Sequence, residues 1–269
     1  CMKFSKTFFL LLIIFGGVPF SSLFSKNERI DSILFSEDER SEDENFDSIG
    51  NHPVNKEVVV TVSNINGPIL ITGHEHNTIV LKITKRGNKN HFKHVHADVK
   101  VTREKVSIES RYDNRNDRQN VSIEYELTVP RHAVLEKIKT VNGGIAVTGV
   151  YGPITTKTAN GKITIEGSQS SLSAHTVNGT IDLTIPKFSP NQTIRAQSIN
   201  GAITCSLPET VSTKLHAKTT TGTISSDFNI SIEKVFYIWQ EVRATLGKPK
   251  GAKVSLETTN GAIDIKKIS

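Results

Sequence analysis

The sequence predicts an all-β fold, a stacked β-solenoid with an irregular, strand-rich N-terminal part. Three observations predict it: a β-branched composition, a recurring Asn-Gly-x-Ile motif, and period-two alternation of apolar residues between the motif copies. Isoleucine occurs 29 times and threonine 27 times in 269 residues, against one methionine. Such residues favour the pleated strand over the helix, so a helical bundle is not expected. With 36% hydrophobic residues the chain can build a core, which excludes a wholly disordered protein.

Taken in chain order, Lys3 and Lys6 precede the apolar run Phe8–Phe15, which continues through Gly16, Gly17, Val18 and Pro19 to Phe20, with Ser21, Ser22 and Ser25 beyond it. A basic start, a short apolar run and small residues make a secretory signal. Residues 1–25 are therefore expected to be a cleaved signal peptide or, uncleaved, an N-terminal membrane anchor. Either way the rest of the chain is expected outside the cytoplasm: in the periplasm, on the cell surface or secreted. Residues 26–53 are expected to be an acidic, disordered linker, because Asn27–Asp47 holds nine acidic residues and two arginines and little that could form a core. With the +3 of the first 26 residues and the −7 of this stretch set against the +6 of the whole, residues 48–269 carry +10. A basic domain suits an envelope or surface ligand such as an anionic polymer or a protein. Nucleic acid is not expected, since the signal directs the chain away from it.

There are two cysteines. Cys1 precedes Met2, which reads as the initiator, and Cys205 follows Ile203 at strand spacing as a small buried hydrophobe. That excludes a disulfide framework and a cysteine zinc site.

Residues 54–269 are expected to form one repeat-built domain. Its corners are Asn66 and Gly67, Asn142 and Gly143, Asn160 and Gly161, Asn178 and Gly179, Asn200 and Gly201, and Asn260 and Gly261, with Thr221 standing for asparagine before Gly222. From Gly143 the glycines step by 18, 18, 22, 21 and 39 residues. A nine-residue half unit aligns Ile145, Ile154, Ile163, Leu172 and Ile181 in one column and Val147, Thr156, Ile165, Ala174 and Leu183 in another. Alternation puts both columns on one strand face. Each coil thus has two short strands whose apolar residues face each other, and stacked coils share a core. Glycine at each corner is expected to supply positive φ, which asparagine tolerates. Stacked asparagines would form an amide ladder, and Thr140, Thr158, Thr176, Ser198 and Thr258 a hydroxyl column.

The first third contains candidate strands at Glu57–Ser63, Ile69–Thr72, Thr78–Thr84, Ala97–Arg103, Lys105–Arg111 and Val121–Val129, the last ended by Pro130. Polar loops are expected at Lys85–Lys93 and Asp113–Asn120.

Four segments in this order, Val62-Ser63-Asn64-Ile65-Asn66-Gly67, Glu126-Leu127-Thr128-Val129-Pro130, Lys139-Thr140-Val141-Asn142-Gly143 and Glu257-Thr258-Thr259-Asn260-Gly261-Ala262-Ile263, resemble the adhesin domain of the toastrack type, a bacterial family without an assigned function. The resemblance covers about 54–269. It implies a β-helix-like fold on an extracytoplasmic protein linked to adhesion or envelope stress signalling, with no catalytic residues to carry over. The acidic linker and an insertion with Phe236, Tyr237 and Trp239 depart from it. Between Gly222 and Gly261, Ile232, Val235, Phe236, Trp239, Val242 and Leu246 fall at helical spacing, while Val235, Tyr237 and Trp239 alternate as a strand would. The resemblance favours a hairpin from Val235 to Leu246 returning through Val254–Thr258, with Trp239 covering the last coils.

The leading function is a non-enzymatic envelope module presenting a long rigid face for binding, with no cofactor or metal. Its candidate binding residues are the basic and aromatic cluster Lys85, Arg86, Lys89, Phe92, Lys93, His94 and His96, an anion patch that would strengthen as the histidines protonate below ~6.5. His74 and His76, and His94 and His96, are spaced to share a strand face, with His91 nearby. The alternative is a carbohydrate-active enzyme. Among outward carboxylates, Glu166 and Asp182 lie in adjacent coils roughly 8–9 Å apart, within the ~5–9.5 Å that glycosidases use. Glu166 and Asp227 are expected ~14 Å apart, and Asp182 and Asp264 further.

Overall fold

The computed structural model describes residues 44–230, 233–235 and 239–268. The expected signal or anchor, the acidic segment before Glu44, and Phe236 and Tyr237 lie outside them. The described strands are β1 Glu44–Pro53, β2 Val59–Ser63, β3 Ile69–His74, β4 Thr78–Gly87, β5 Val95–Val101, β6 Lys105–Tyr112 and β7 Val121–Pro130. They continue with β8 Val134–Lys139, β9 Ile145–Thr148, β10 Ile154–Asn160, β11 Ile163–Glu166, β12 Leu172–Asn178, β13 Ile181–Thr184, β14 Thr193–Asn200 and β15 Ile203–Pro208. The C-terminal ones are β16 Thr213–Thr221, β17 Ile224–Ser226, β18 Glu233–Val235, β19 Trp239–Leu246, β20 Lys253–Asn260 and β21 Ile263–Ile268. One short helix, α1 Arg115–Asn120, and a 3-10 turn, Lys89–His94, occupy the two expected loops.

The protein is all-β, with two large mixed sheets. A 10-stranded sheet runs β1-β4-β7-β3-β9-β11-β13-β15-β21-β17, and an 11-stranded sheet runs β18-β19-β16-β20-β14-β12-β10-β8-β2-β6-β5. From β6 to β18 consecutive strands alternate between the two sheets. The central pairs are parallel and in register, for example Ile163 with Ile145 and Ile181, and Thr158 with Thr176. The two aligned columns of the repeat are buried, from Ile145 and Val147 through Ile181 and Leu183, and form the shared core with Ile203, Cys205, Ile263 and Ile265.

Two corrections concern order. In the N-terminal part β2 pairs in parallel with both β8 and β6, and β3 with both β9 and β7. It looked irregular because β4, β5 and α1 separate its coils in sequence. At the other end the last two strands of the chain are not the last of their sheets. β20 lies between β14 and β16, and β21 between β15 and β17. The pairs β2 with β3 and β20 with β21 thus each lie inside their sheets, not at the edges.

Among the described residues between Gly222 and Gly261, β19 runs antiparallel to β16 and to β18. From β19 the chain returns through β20, on the other side of β16. These antiparallel strands, with β4 and β1 over β7 and β5 over β6, cover edges that would otherwise template aggregation. β1 begins at Glu44, so the end of the expected linker pairs with β4, with a bulge at Gly50 and Asn51.

Candidate functional site

The corners are tightly built. Asn260 donates its side-chain amide to Asn200 Oδ1, and the chain of amides continues through Asn178, Asn160 and Asn142 to Asn66, each bond 2.8 Å. Asn66 closes it on the Arg118 carbonyl of α1. Inside this ladder, Thr158 and Thr176 hydroxyls donate to the carbonyls of Gly143 and Gly161 (3.0 and 3.1 Å), the corner glycines of the neighbouring coil. Positive φ is not the reason for most of these glycines. Gly67 has φ 114° and Gly222 a nearly extended 159°, while Gly143, Gly161, Gly179, Gly201 and Gly261 lie outside the left-handed region. They are glycines because a Cβ at Gly161 would sit 2.0 Å from the Gly143 oxygen, and the same contact recurs along the stack.

The basic cluster read from the sequence is split by the fold. Lys85 is buried, its ammonium donating to the Phe92 carbonyl (3.2 Å), and Phe92 itself packs in the core. Arg86 pairs with Glu124 (3.1 Å). Lys89 and Lys93 are exposed. His94 and His96 both face Asp113 (3.4 and 3.5 Å), which Arg111 also contacts at 3.0 Å. Burial alone would raise the Asp113 carboxyl, but hydrogen bonds from His96 and His94 and the Arg111 charge hold it below its ordinary value. His91 binds Asp117 (2.7 Å), a fully buried carboxylate that also caps α1 with Asn114. Phe92 therefore cannot offer a stacking face, and the histidines already have a carboxylate.

The other histidine pair is no better placed for a metal. His74 Nε2 contacts the Thr78 carbonyl at 2.8 Å, and the ring of His76 meets that of His74 edge-on at 5.5 Å. Glu75 pairs with Arg131. Among the described residues no group of three or more His, Cys, Asp or Glu side chains is arranged to hold a metal ion.

Of the carboxylates, Asp182 stands beside Thr164 on the strand next to Glu166, two residues out of register with it. Asp182 is held by Lys162 at 2.6 Å, and the cavity beside Glu166 does not include it. The inserted coil also changes two expected separations. Asp227 moves to four strand spacings from Glu166, ~19 Å, and Asp264 comes to two spacings from Asp182, ~10 Å, with Thr204 between them. Asp264 accepts a hydrogen bond from Ser225.

What the fold does assemble is a groove along the edge opposite the asparagine ladder. Two cavities of about 390 Å³ each share Pro186 and Lys187. The first continues over Tyr151, Glu166 and Gln169. The second is lined by Phe188, Ser189, Pro190, Pro208, Thr210 and Ser212 with Lys248 and Lys250, and no carboxylate lines it. Buried Gln192 holds the loop, donating to the Ser170 carbonyl (2.7 Å) and accepting from Ser189 N (3.0 Å). Lys248 N donates to Ser212 Oγ (3.2 Å), tying the β19–β20 connection to the loop before β16. These residues were missed in the sequence, yet the signal was there. The glycine step lengthens from 18 to 22 and 21 where Pro186–Gln192 and Pro208–Ser212 are inserted, and insertions in a repeat gather on one face.

The chain is similar to solved bacterial structures. One is described as a "putative cell adhesion protein" from Clostridium sporogenes, at 17% identity over 84% of this chain and 99% of that one, with a TM-score of 0.47. Another is described as a "putative adhesin" from Bacteroides fragilis, at 15% identity over 85% and 98% of the two chains, with a TM-score of 0.39. No protein-family model and no curated protein matches the sequence.

Proposed function

We propose that this chain is a non-enzymatic, extracytoplasmic, adhesin-like binding module, a β-solenoid whose rigid stack holds out the groove at Lys187 to an anionic envelope or surface polymer. The observation that carries this reading is the second cavity: Lys187, Lys248 and Lys250 around prolines and hydroxyls, with no carboxylate in the lining. Concave sites with a few convergent polar groups are where ligands bind, and an uncompensated cationic cavity selects anions.

Calorimetric titration with polygalacturonate tests this. Saturable binding that weakens in Lys187→Ala and Lys250→Ala, with no release of reducing ends, is the expected result. Release of reducing ends that disappears in Glu166→Gln would replace the binding module by an enzyme, and an absence of saturable binding would remove the groove from the function.

A further inference from the structure

The groove carries its charge in two halves. Glu166 ends β11, exposed, between Thr148 of β9 and Thr184 of β13 in direct register. Among the described residues it has no ion-pair partner, unlike Asp182 on the next strand, which Lys162 holds at 2.6 Å. Tyr151 and Gln169 wall the cavity beside it. Tyr151 is fixed in place: its hydroxyl accepts from Arg131 Nη1, the guanidinium carbon lies 5.1 Å from the ring centre, and His132 meets the ring edge-on at 5.9 Å. The Arg131 charge is compensated by Glu75 at 2.7 Å. A fixed aromatic ring beside an unpaired carboxylate suits an ammonium group.

The other half is cationic. Lys187, Lys248 and Lys250 line it without a carboxylate, and none of the three has an ion-pair partner among the described residues. Lys187 follows β13, one strand spacing from β11. Lys248 and Lys250 precede β20, which pairs with β14 as β21 pairs with β15, three spacings from β11 along the stack. At ~4.8 Å per strand the lysines thus lie ~5 to ~14 Å along the groove from Glu166. Their loops are fixed relative to one another, because Lys253 N donates to the Gln192 carbonyl (2.9 Å) and Lys248 N to Ser212 Oγ (3.2 Å).

We infer that the ligand of this groove is a zwitterionic polymer, an anionic chain that also carries ammonium groups. Its anions sit on Lys187, Lys248 and Lys250, and one ammonium sits between Glu166 and the Tyr151 ring. This inference rests on the groove being the binding site and adds the second charge of the ligand. A polymer with anions alone would set a like charge against Glu166, which has no cation of its own to offset it. A small zwitterion such as a free amino acid, with both charges on one carbon, reaches only one half of the groove. A chain with the two charges spaced along it reaches both.

The test titrates the full chain, at low salt, with two derivatives of one polymer. Polygalacturonate partly amidated with ethylenediamine carries pendant ammonium groups, and the same polymer amidated to the same degree with ethanolamine carries neutral hydroxyls. The ammonium polymer should bind about threefold tighter, the size of one exposed ion pair. Glu166→Gln should abolish that preference, and should strengthen binding of the hydroxyl polymer by removing a repulsion. A groove that selects negative charge alone gives the opposite order, because the hydroxyl polymer is the more negative of the two. Tighter binding of the hydroxyl polymer by the parent would overturn the zwitterionic ligand and leave the groove reading in place. So would a preference that survives Glu166→Gln, as attraction of the ammonium groups to the acidic stretch Asn27–Asp47 would give. Saturable binding of neither polymer would remove the groove reading and this inference together.

Discussion

Gly161 shows what one residue type does in this fold. Its Cβ position is occupied by the Gly143 carbonyl 2.0 Å away, whereas a Cβ at Gly149 would meet nothing nearer than 3.7 Å and would face only its φ of 68°. Gly161→Ala should therefore cost roughly 3 kcal/mol, by forcing coils apart, and Gly149→Ala about 1 kcal/mol for left-handed backbone. Urea unfolding of the two variants checks the ranking; equal losses would mean that the corners can separate freely. His175 offers a second test at this scale. Burial first, and the neighbouring Lys157 charge second, hold its pKa below the ordinary value. A histidine with a depressed folded pKa binds fewer protons folded than unfolded. Stability is thus lost as pH falls through the unfolded value of ~6.5 toward the folded one. His175→Gln should lose less Tm between neutral and mildly acid pH than the parent. An identical loss would show that His175 takes no part in the acid sensitivity.

At the scale of an element, the asparagine ladder is directional: every amide donates toward the N-terminal end of the stack. Asn178→Asp keeps the acceptor for Asn200 but presents a carboxylate to Asn160 Oδ1, which is also an acceptor. It should destabilise by about 1–3 kcal/mol, more than Asn178→Ala. The new carboxyl gains a folded-state partner only when protonated, so its folded pKa is raised, and the lost stability should return as pH falls through that raised value. A thermal melt series of the aspartate variant against pH reads this directly; a pH-independent deficit would mean that the ladder has no such polarity. Strand positions were legible in the residues themselves. Val59–Ser63, Ile69–His74 and Lys105–Tyr112 are within a few residues of the segments chosen by alternation, because side-chain direction on a strand has period two wherever one face is buried. The loop at Lys85–Lys93 was misjudged. Lys85 belongs to β4 and points inward, and Phe92 anchors the 3-10 turn in the core. A run of lysines with one aromatic carries no periodicity to reveal which of them is covered.

Across the whole molecule, the placement of β20 and β21 has a mechanical consequence. Removing 252–269 would take out a coil from within the stack, leaving β16, β17 and β19 without the strands that join them to β14 and β15. Limited proteolysis of that truncation should cut within 209–251 while 54–208 stays protected. Unchanged protection of 209–251 would mean that the coils had closed the gap, or that chain order and stack order agree after all. The sequence by itself determined the all-β class, the inward columns and the asparagine corners, since each depends on side chains a few residues apart. Only the tertiary structure decided the order of the coils, the edges that β1, β5 and β19 cover, and the groove between Tyr151 and Lys250. Parallel coils built on the same corner and the same buried columns present nearly the same edge to any neighbour. Which coil stacks on which is therefore chosen by connection lengths and end-covering strands, and repeat spacing carries no record of that choice.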